Sequence, residues 1–176
     1  MTEKIFLDVF QAGFLGKVGL AVSQRGLLRV RMCVKGQKEF LDRNQVYQEG
    51  EYVFDPEKTQ PFRSQILAYV SRELRDFLIP VDWERYTPFQ MDVLQATRAI
   101  PYGETRSYGQ VAAVIGKPQA ARAVGQAEKR NQVPLVIPCH RVIGSDGSLT
   151  GYGGSADTDL KGRLIAFEKE NRSRGN

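Results

Sequence analysis

Residues 107–130 read SYGQVAAVIGKPQAARAVGQAEKR. Ser107 is a residue type whose hydroxyl caps a helix N-terminus. Val111, Ala112, Val114 and Ile115 then supply apolar side chains over two turns, and Gly116-Lys117-Pro118 stops the run. A further helix is predicted from Pro118 through Ala120, Ala121, Arg122, Ala123, Val124 and Ala127 to about Arg130. Two short helices joined by a tight, glycine-containing turn form a helix-turn-helix pattern.

Upstream, Thr87 is placed to cap a helix that has Pro88 at its first position. Phe89, Val93, Leu94 and Thr97 line one face of that helix, and Pro101-Tyr102-Gly103 ends it. Downstream, 133–137 is a brief apolar extended run, and Pro138 cannot continue a helix. Ser145-Asp146-Gly147 and Gly151-Tyr152-Gly153-Gly154 read as loops. Leu160, Leu164, Ile165 and Phe167 mark a last helix that carries Glu168, with a tail from Asn171 expected to fray.

The first third has a different period. Ile5, Leu7 and Val9 alternate, as do Val18, Leu20 and Val22, then Leu28, Val30, Met32 and Val34. Period-2 alternation predicts half-buried strands in a small antiparallel sheet. Cys33 falls in the last of these, out of phase, as a minor structural thiol. Residues 35–60 are polar and predict loop, or a short extra strand at Tyr52-Val53-Phe54. Pro61 then opens a helix running to Pro80. The expected class is α+β: an N-terminal sheet-and-helix support domain over 1–85, and a mainly helical domain with the helix-turn-helix over 86–176.

The chain has 176 residues, 41% of them hydrophobic and 26% charged, an ordinary soluble composition. No apolar run approaches the roughly 18 residues that span a bilayer, and the first residues lack signal-peptide architecture. A cytoplasmic protein is expected. Two cysteines, Cys33 and Cys139, and one histidine make neither a disulfide scaffold nor a zinc signature. No metal and no cofactor are expected. The net charge of +5 is concentrated. Residues 98–141 hold Arg98, Arg106, Lys117, Arg122, Lys129, Arg130 and Arg141 against Glu104 and Glu128. Such a local field suits a polyanion, and it also suits a solvated basic face.

The chemistry centres on Ile137-Pro138-Cys139-His140-Arg141-Val142. A thiolate is a strong nucleophile near neutral pH, but a free thiol is mostly protonated and needs a base or a cation beside it. His140, the sole histidine, adjoins Cys139. Neighbouring side chains of an extended segment point apart, so His140 would act through a backbone bend or a water. A carboxylate would orient the imidazole. On spacing alone Glu168, Asp146, Asp157 and Asp159 all qualify. Chemistry by itself favours a buried structural cysteine beside a surface histidine over a reactive one.

Context decides. Residues 100–109, 120–125, Asn131, 136–144 and 149–154 together resemble the O6-alkylguanine-DNA alkyltransferases, the methylated-DNA–protein-cysteine methyltransferases, over essentially all of 87–170. The resemblance implies that Cys139 accepts the alkyl group, that His140 deprotonates it through a water and that Glu168 holds His140. Arg122 matches a finger that enters the duplex where the flipped base was. The helix bearing it matches a recognition helix lying in the minor groove. Ala120, Ala121, Ala123 and Gly125 are small enough for that close approach. Tyr108 matches the residue that contacts phosphate and helps protonate the departing guanine, and Asn131 a hinge. The guanine pocket falls on the Val142 carbonyl and the Tyr152-Gly153 loop.

The implied activity is repair by direct reversal. The alkyl group of O6-alkylguanine, and with it O4-alkylthymine, passes once from double-stranded DNA to Cys139 of a monomer. Gln132 and Gln126 depart from the family pattern, and the 155–159 loop is longer than in some relatives. The zinc ligands found in some members' N-terminal domains are absent.

Three other classes fit less well. Alkyltransferase-like binders lack the cysteine. A helix-turn-helix regulator would carry polar base readers where this helix carries Ala and Gly. A cysteine hydrolase would draw Cys and His from separate parts of the chain.

Overall fold

The computed structural model describes residues 3–45, 50–152 and 159–173. The chain divides into two compact units, Met1–Asp82 and Trp83–Asn176.

In the first unit, β1 (Lys4–Gln11), β2 (Lys17–Ser23) and β3 (Gly26–Arg31) form the predicted antiparallel meander. The short strand at 52–54 exists as β4 (Glu51–Phe54), but it joins β1 in parallel. The sheet, ordered β3-β2-β1-β4, is therefore mixed rather than purely antiparallel. Parallel pairing requires a crossover, and a helix absent from the expectation, α1 (Gln37–Gln45), lies in it. Its sequence, QKEFLDRNQ, is too polar to show a helical stripe. Phe40 anchors it, fully buried against Ile5, Leu7, Ala21, Leu28 and Val34, with Leu41 packed on the same cluster. Gly19 makes room: a Cβ there would come within 2.5 Å of the Phe40 ring.

The helix expected to open at Pro61 starts earlier, as α2 (Pro56–Val70). Asp55 caps it, accepting from the Glu57 and Lys58 amides at 3.1 Å, and Pro56 takes the first position. Pro61 is tolerated in the second turn, and the helix ends at Val70 rather than Pro80. A buried polar knot ties α2 to β1: Asp8 accepts from the Thr59 hydroxyl and from Arg63 Nη1, both at 3.0 Å. Cys33 lies beyond β3, exposed and in left-handed backbone (φ 58°), not in the strand.

The second unit follows its end signals closely. α3 (Pro88–Arg98) and α4 (Tyr108–Val114) each begin with a capping box, Thr87 with Gln90 and Ser107 with Gln110. Gly116, at φ 71°, closes α4: its amide donates to the Ala113 carbonyl (3.0 Å) and the Lys117 amide to that of Ala112 (2.9 Å). This Schellman arrangement needs left-handed backbone at that position, where glycine carries no Cβ penalty. α5 (Ala121–Lys129) starts three residues after Pro118. α3, α4 and α5 enclose Val93, Ile100, Val111, Ala112, Val124, Ala127 and Val142. A parallel pair of two-residue strands, β5 (Arg106–Ser107) and β6 (Val142–Ile143), ties the segment after Cys139 to the start of α4. α6 (Asp159–Ser173) holds its form through Asn171, which is buried and donates from Nδ2 to the Tyr102 hydroxyl at 3.1 Å. Residues 171–173, expected to fray, are helical because that bond and the burial anchor the last turn; 174–176 lie outside the described residues. Among the described residues no helix is long and apolar enough to cross a membrane.

Candidate active site

Cys139, His140 and Arg141 form one 3-10 turn after Pro138, not an extended segment, and all three are buried. The turn is held from behind by Asn131. Its Oδ1 accepts from the Val133 amide (3.0 Å) and its Nδ2 donates to the Ile137 carbonyl (2.9 Å). These two bonds staple the ends of a tight loop in which buried Leu135 is forced to φ 79°. A leucine in left-handed backbone is strained, and the staple is what over-determines it. Asn131 also bonds the thiol and favours its ionised form.

Glu168 is the carboxylate that the fold delivers to His140. Its Oε1 lies 2.8 Å from His140 Nε2. Arg141 grips the same carboxylate twice, Nε to Oε2 and Nη2 to Oε1, both at 2.9 Å, and donates from Nη1 to the Ile100 carbonyl. The Gly103 amide adds a fourth bond, to Oε2 at 3.0 Å. Burial pushes Glu168 up, but the His140 hydrogen bond and the Arg141 guanidinium outweigh it and hold the carboxyl well below the usual range. His140 moves down, because burial outweighs Glu168. An ionised carboxylate only accepts, so the neutral imidazole carries its proton on Nε2. Nδ1 is then a bare acceptor, buried and without a partner among the described residues. Of the alternatives open on spacing, Asp146 bonds the Ser148 amide instead (3.0 Å), and Asp157 lies outside the described residues. Asp159 pairs with Arg163 at 3.8 Å.

The thiol itself is not ionised at rest. Burial first, and Glu128 second, push Cys139 up to about 12, against smaller downward pulls from Asn131 and Lys161.

Tyr108 opens α4, and its hydroxyl meets the Thr150 hydroxyl at 2.5 Å. Lys161, from α6, donates to the Thr150 carbonyl (3.0 Å) and reaches the Tyr108 hydroxyl (3.5 Å). Tyr152 is buried edge-on to His140, with ring centroids 6.0 Å apart. Val142 is buried in β6. Gly153 lies outside the described residues. On α5, Arg122 and Ala123 are exposed, and Ala120, Ala121 and Gly125 are half-buried. A Cβ at Gly125 would touch the Tyr108 ring at 3.8 Å, so this glycine faces the tyrosine. Arg122, Gln126, Lys129 and Arg130 share the exposed side of the helix.

Sequence reasoning missed three residues. Lys161 is buried at one-helical-face spacing with Leu164, Glu168 and Asn171, a polar-containing stripe that could have flagged it. Arg141 was read as part of the basic window and as a cation near Cys139, whereas it is buried and paired with Glu168. Glu128 counted likewise but is buried on α5.

The family model for the 6-O-methylguanine DNA methyltransferase DNA-binding domain matches residues 88–170. A methylated-DNA–protein-cysteine methyltransferase of Methanosarcina barkeri is 37% identical over 95% of this chain and 99% of its own. The constitutive enzyme of that name from Bacillus subtilis is 41% identical over 80% of this chain and 84% of its own. The OGT protein of Mycobacterium tuberculosis, solved in complex with DNA, superposes with a TM-score of 0.78 at 37% identity, over 94% of each chain. With relatives this similar over nearly full length, the chain belongs to the methylated-DNA–protein-cysteine methyltransferase family.

Proposed function

We propose that this protein repairs DNA by moving the alkyl group of O6-alkylguanine, and with it O4-alkylthymine, from double-stranded DNA onto Sγ of Cys139, once per molecule. One observation carries the reading: a buried thiol in the same turn as an imidazole whose Nε2 is fixed by an ionised carboxylate and whose Nδ1 is bare.

The cationic side of α5 meets phosphates, with little sequence preference. Its small residues allow close approach to the minor groove, and Arg122 fills the stack as the damaged base rotates out. The base enters beside Val142 and Tyr152. The thiol, resting far above neutrality, gives its proton to His140 Nδ1 through a water as Sγ attacks the alkyl carbon. The S–C bond forms as the C–O6 bond breaks. Glu168 holds the resulting imidazolium. The guanine anion leaves with a proton from the Tyr108 hydroxyl, which Lys161 and Thr150 hold in place. The thioether has no leaving route, so the molecule is spent. The protein acts as a monomer in the cytoplasm, and needs no metal or cofactor for these steps.

Duplex carrying labelled O6-methylguanine tests this. One equivalent of label should reach the protein, O6-benzylguanine should compete, and Cys139→Ala should accept none. More than one equivalent, or undiminished transfer to Cys139→Ala, would sink the reading.

A further inference from the structure

We propose that Glu128 restrains Cys139: as a buried anion it competes with the thiolate for Lys161, and as a neutral acid it leaves that cation to the thiolate. This rests on Cys139 being the alkyl acceptor.

The geometry is that of a second carboxyl at the site, apart from the His140–Glu168 pair. Glu128 lies on the buried side of α5, and its Oε1 accepts from the Thr97 hydroxyl of α3 at 2.5 Å. Its Oε2 is buried with no partner among the described residues. An anion with one oxygen so left is more costly than a protonated acid in the same place.

The groups facing it come from each neighbouring element. α3 brings Thr97, whereas Asp92 of that helix pairs with Lys117 and Arg98 lies about 100° further round the axis. α4 brings the Tyr108 hydroxyl, the turn brings the Cys139 thiol with Asn131 beside it, and α6 brings the Lys161 ammonium. Glu128 disfavours ionisation of both Tyr108 and Cys139, while Lys161 favours ionisation of both Glu128 and Cys139. One buried cation thus serves two candidate anions, and two anions in one dry site cannot both be ionised cheaply. Burial pushes Glu128 up to about 7, so the restraint switches near neutrality.

The test reads the thiol without DNA. Cys33 is exposed, so the background is Cys33→Ser. Alkylation of Cys139 by iodoacetamide is followed by mass spectrometry from pH 5.5 to 9. The logarithm of the rate should rise with pH, flatten into a shoulder near pH 7 as Glu128 ionises, and rise again. Glu128→Gln should remove the shoulder, matching the parent at pH 6 and running roughly tenfold faster at pH 8.5, as about one pKa unit implies. Thr97→Val deletes a bond that favours the carboxylate, so it should move the shoulder to higher pH. That variant decides the matter even if Glu128→Gln does not fold. No shoulder in the parent, a shoulder kept in Glu128→Gln (as titration of His140 would give), or one unmoved in Thr97→Val each overturns the proposal. Failure of the alkyl-transfer reading would appear separately, as unchanged DNA label transfer by Cys139→Ala.

Discussion

Arg141 grips Glu168 through two parallel 2.9 Å bonds, Nε to Oε2 and Nη2 to Oε1, inside the protein. The fork explains how a fully buried carboxylate stays ionised beside a neutral histidine. A lysine offers a single point charge and cannot reproduce it. Arg141→Lys should therefore cost about 3 kcal/mol of stability in denaturant unfolding, the scale of breaking a buried pair. It should also slow alkyl transfer at least tenfold, a loss on the order expected when a proton acceptor is no longer oriented. Full activity in Arg141→Lys would show that the fork is dispensable.

The same pair sets the acid limit. Glu168 is depressed in the folded state, so the stability it confers is complete above its unfolded value of 4.5 and is lost as pH falls below that toward its folded value. Acid unfolding followed by circular dichroism should begin at higher pH in Arg141→Lys than in the parent.

Glu128 has the opposite sign. Its folded value is raised from 4.5 to about 7, so the folded state binds the extra proton between those values and stability falls as pH rises through them. The parent should lose about 3 kcal/mol between pH 4.5 and pH 8 on this account, and Glu128→Gln should keep it. Parallel stability–pH curves for the two proteins would contradict the buried, raised carboxyl.

Gly116→Ala places a Cβ on left-handed backbone at the joint of the helix-turn-helix. Open space surrounds it, so the cost is conformational alone, about 1–2 kcal/mol. Unfolding should register that loss. Iodoacetamide labelling of Cys139 should not change, because Gly116 is exposed and a Cβ there meets no neighbour.

Arg122→Ala should lower transfer from duplex DNA roughly tenfold or more, since a flipped base with nothing filling its place returns to the stack. Transfer from free O6-benzylguanine, which needs no flipping, should be unaffected. Equal losses with both substrates would mean that Arg122 supports the pocket rather than the duplex.

Wherever local chemistry dominates, the sequence was sufficient. Thr87, Ser107 and Gly116 sit at the helix ends they signal, because a cap is satisfied within three residues. The alternating strands β1 to β3 were legible for the same reason: their period is a property of the strand alone. Cys139, His140, Tyr108, Asn131 and Glu168 were found through a resemblance spread over five segments, and they converge on one site. What failed was non-local. α1 forms because Phe40 finds Gly19 on another element, and Asp55 with Pro56 outcompetes Pro61 as the start of α2.

Cys139 is the sharpest instance of that division. Its identity, its neighbour His140 and the basic window around them are sequence facts. That the thiol rests protonated, that Arg141 turns inward to Glu168, and that Glu128 and Lys161 share its surroundings are consequences of burial. A charge written in sequence has no sign of influence until folding fixes its distance and its dielectric.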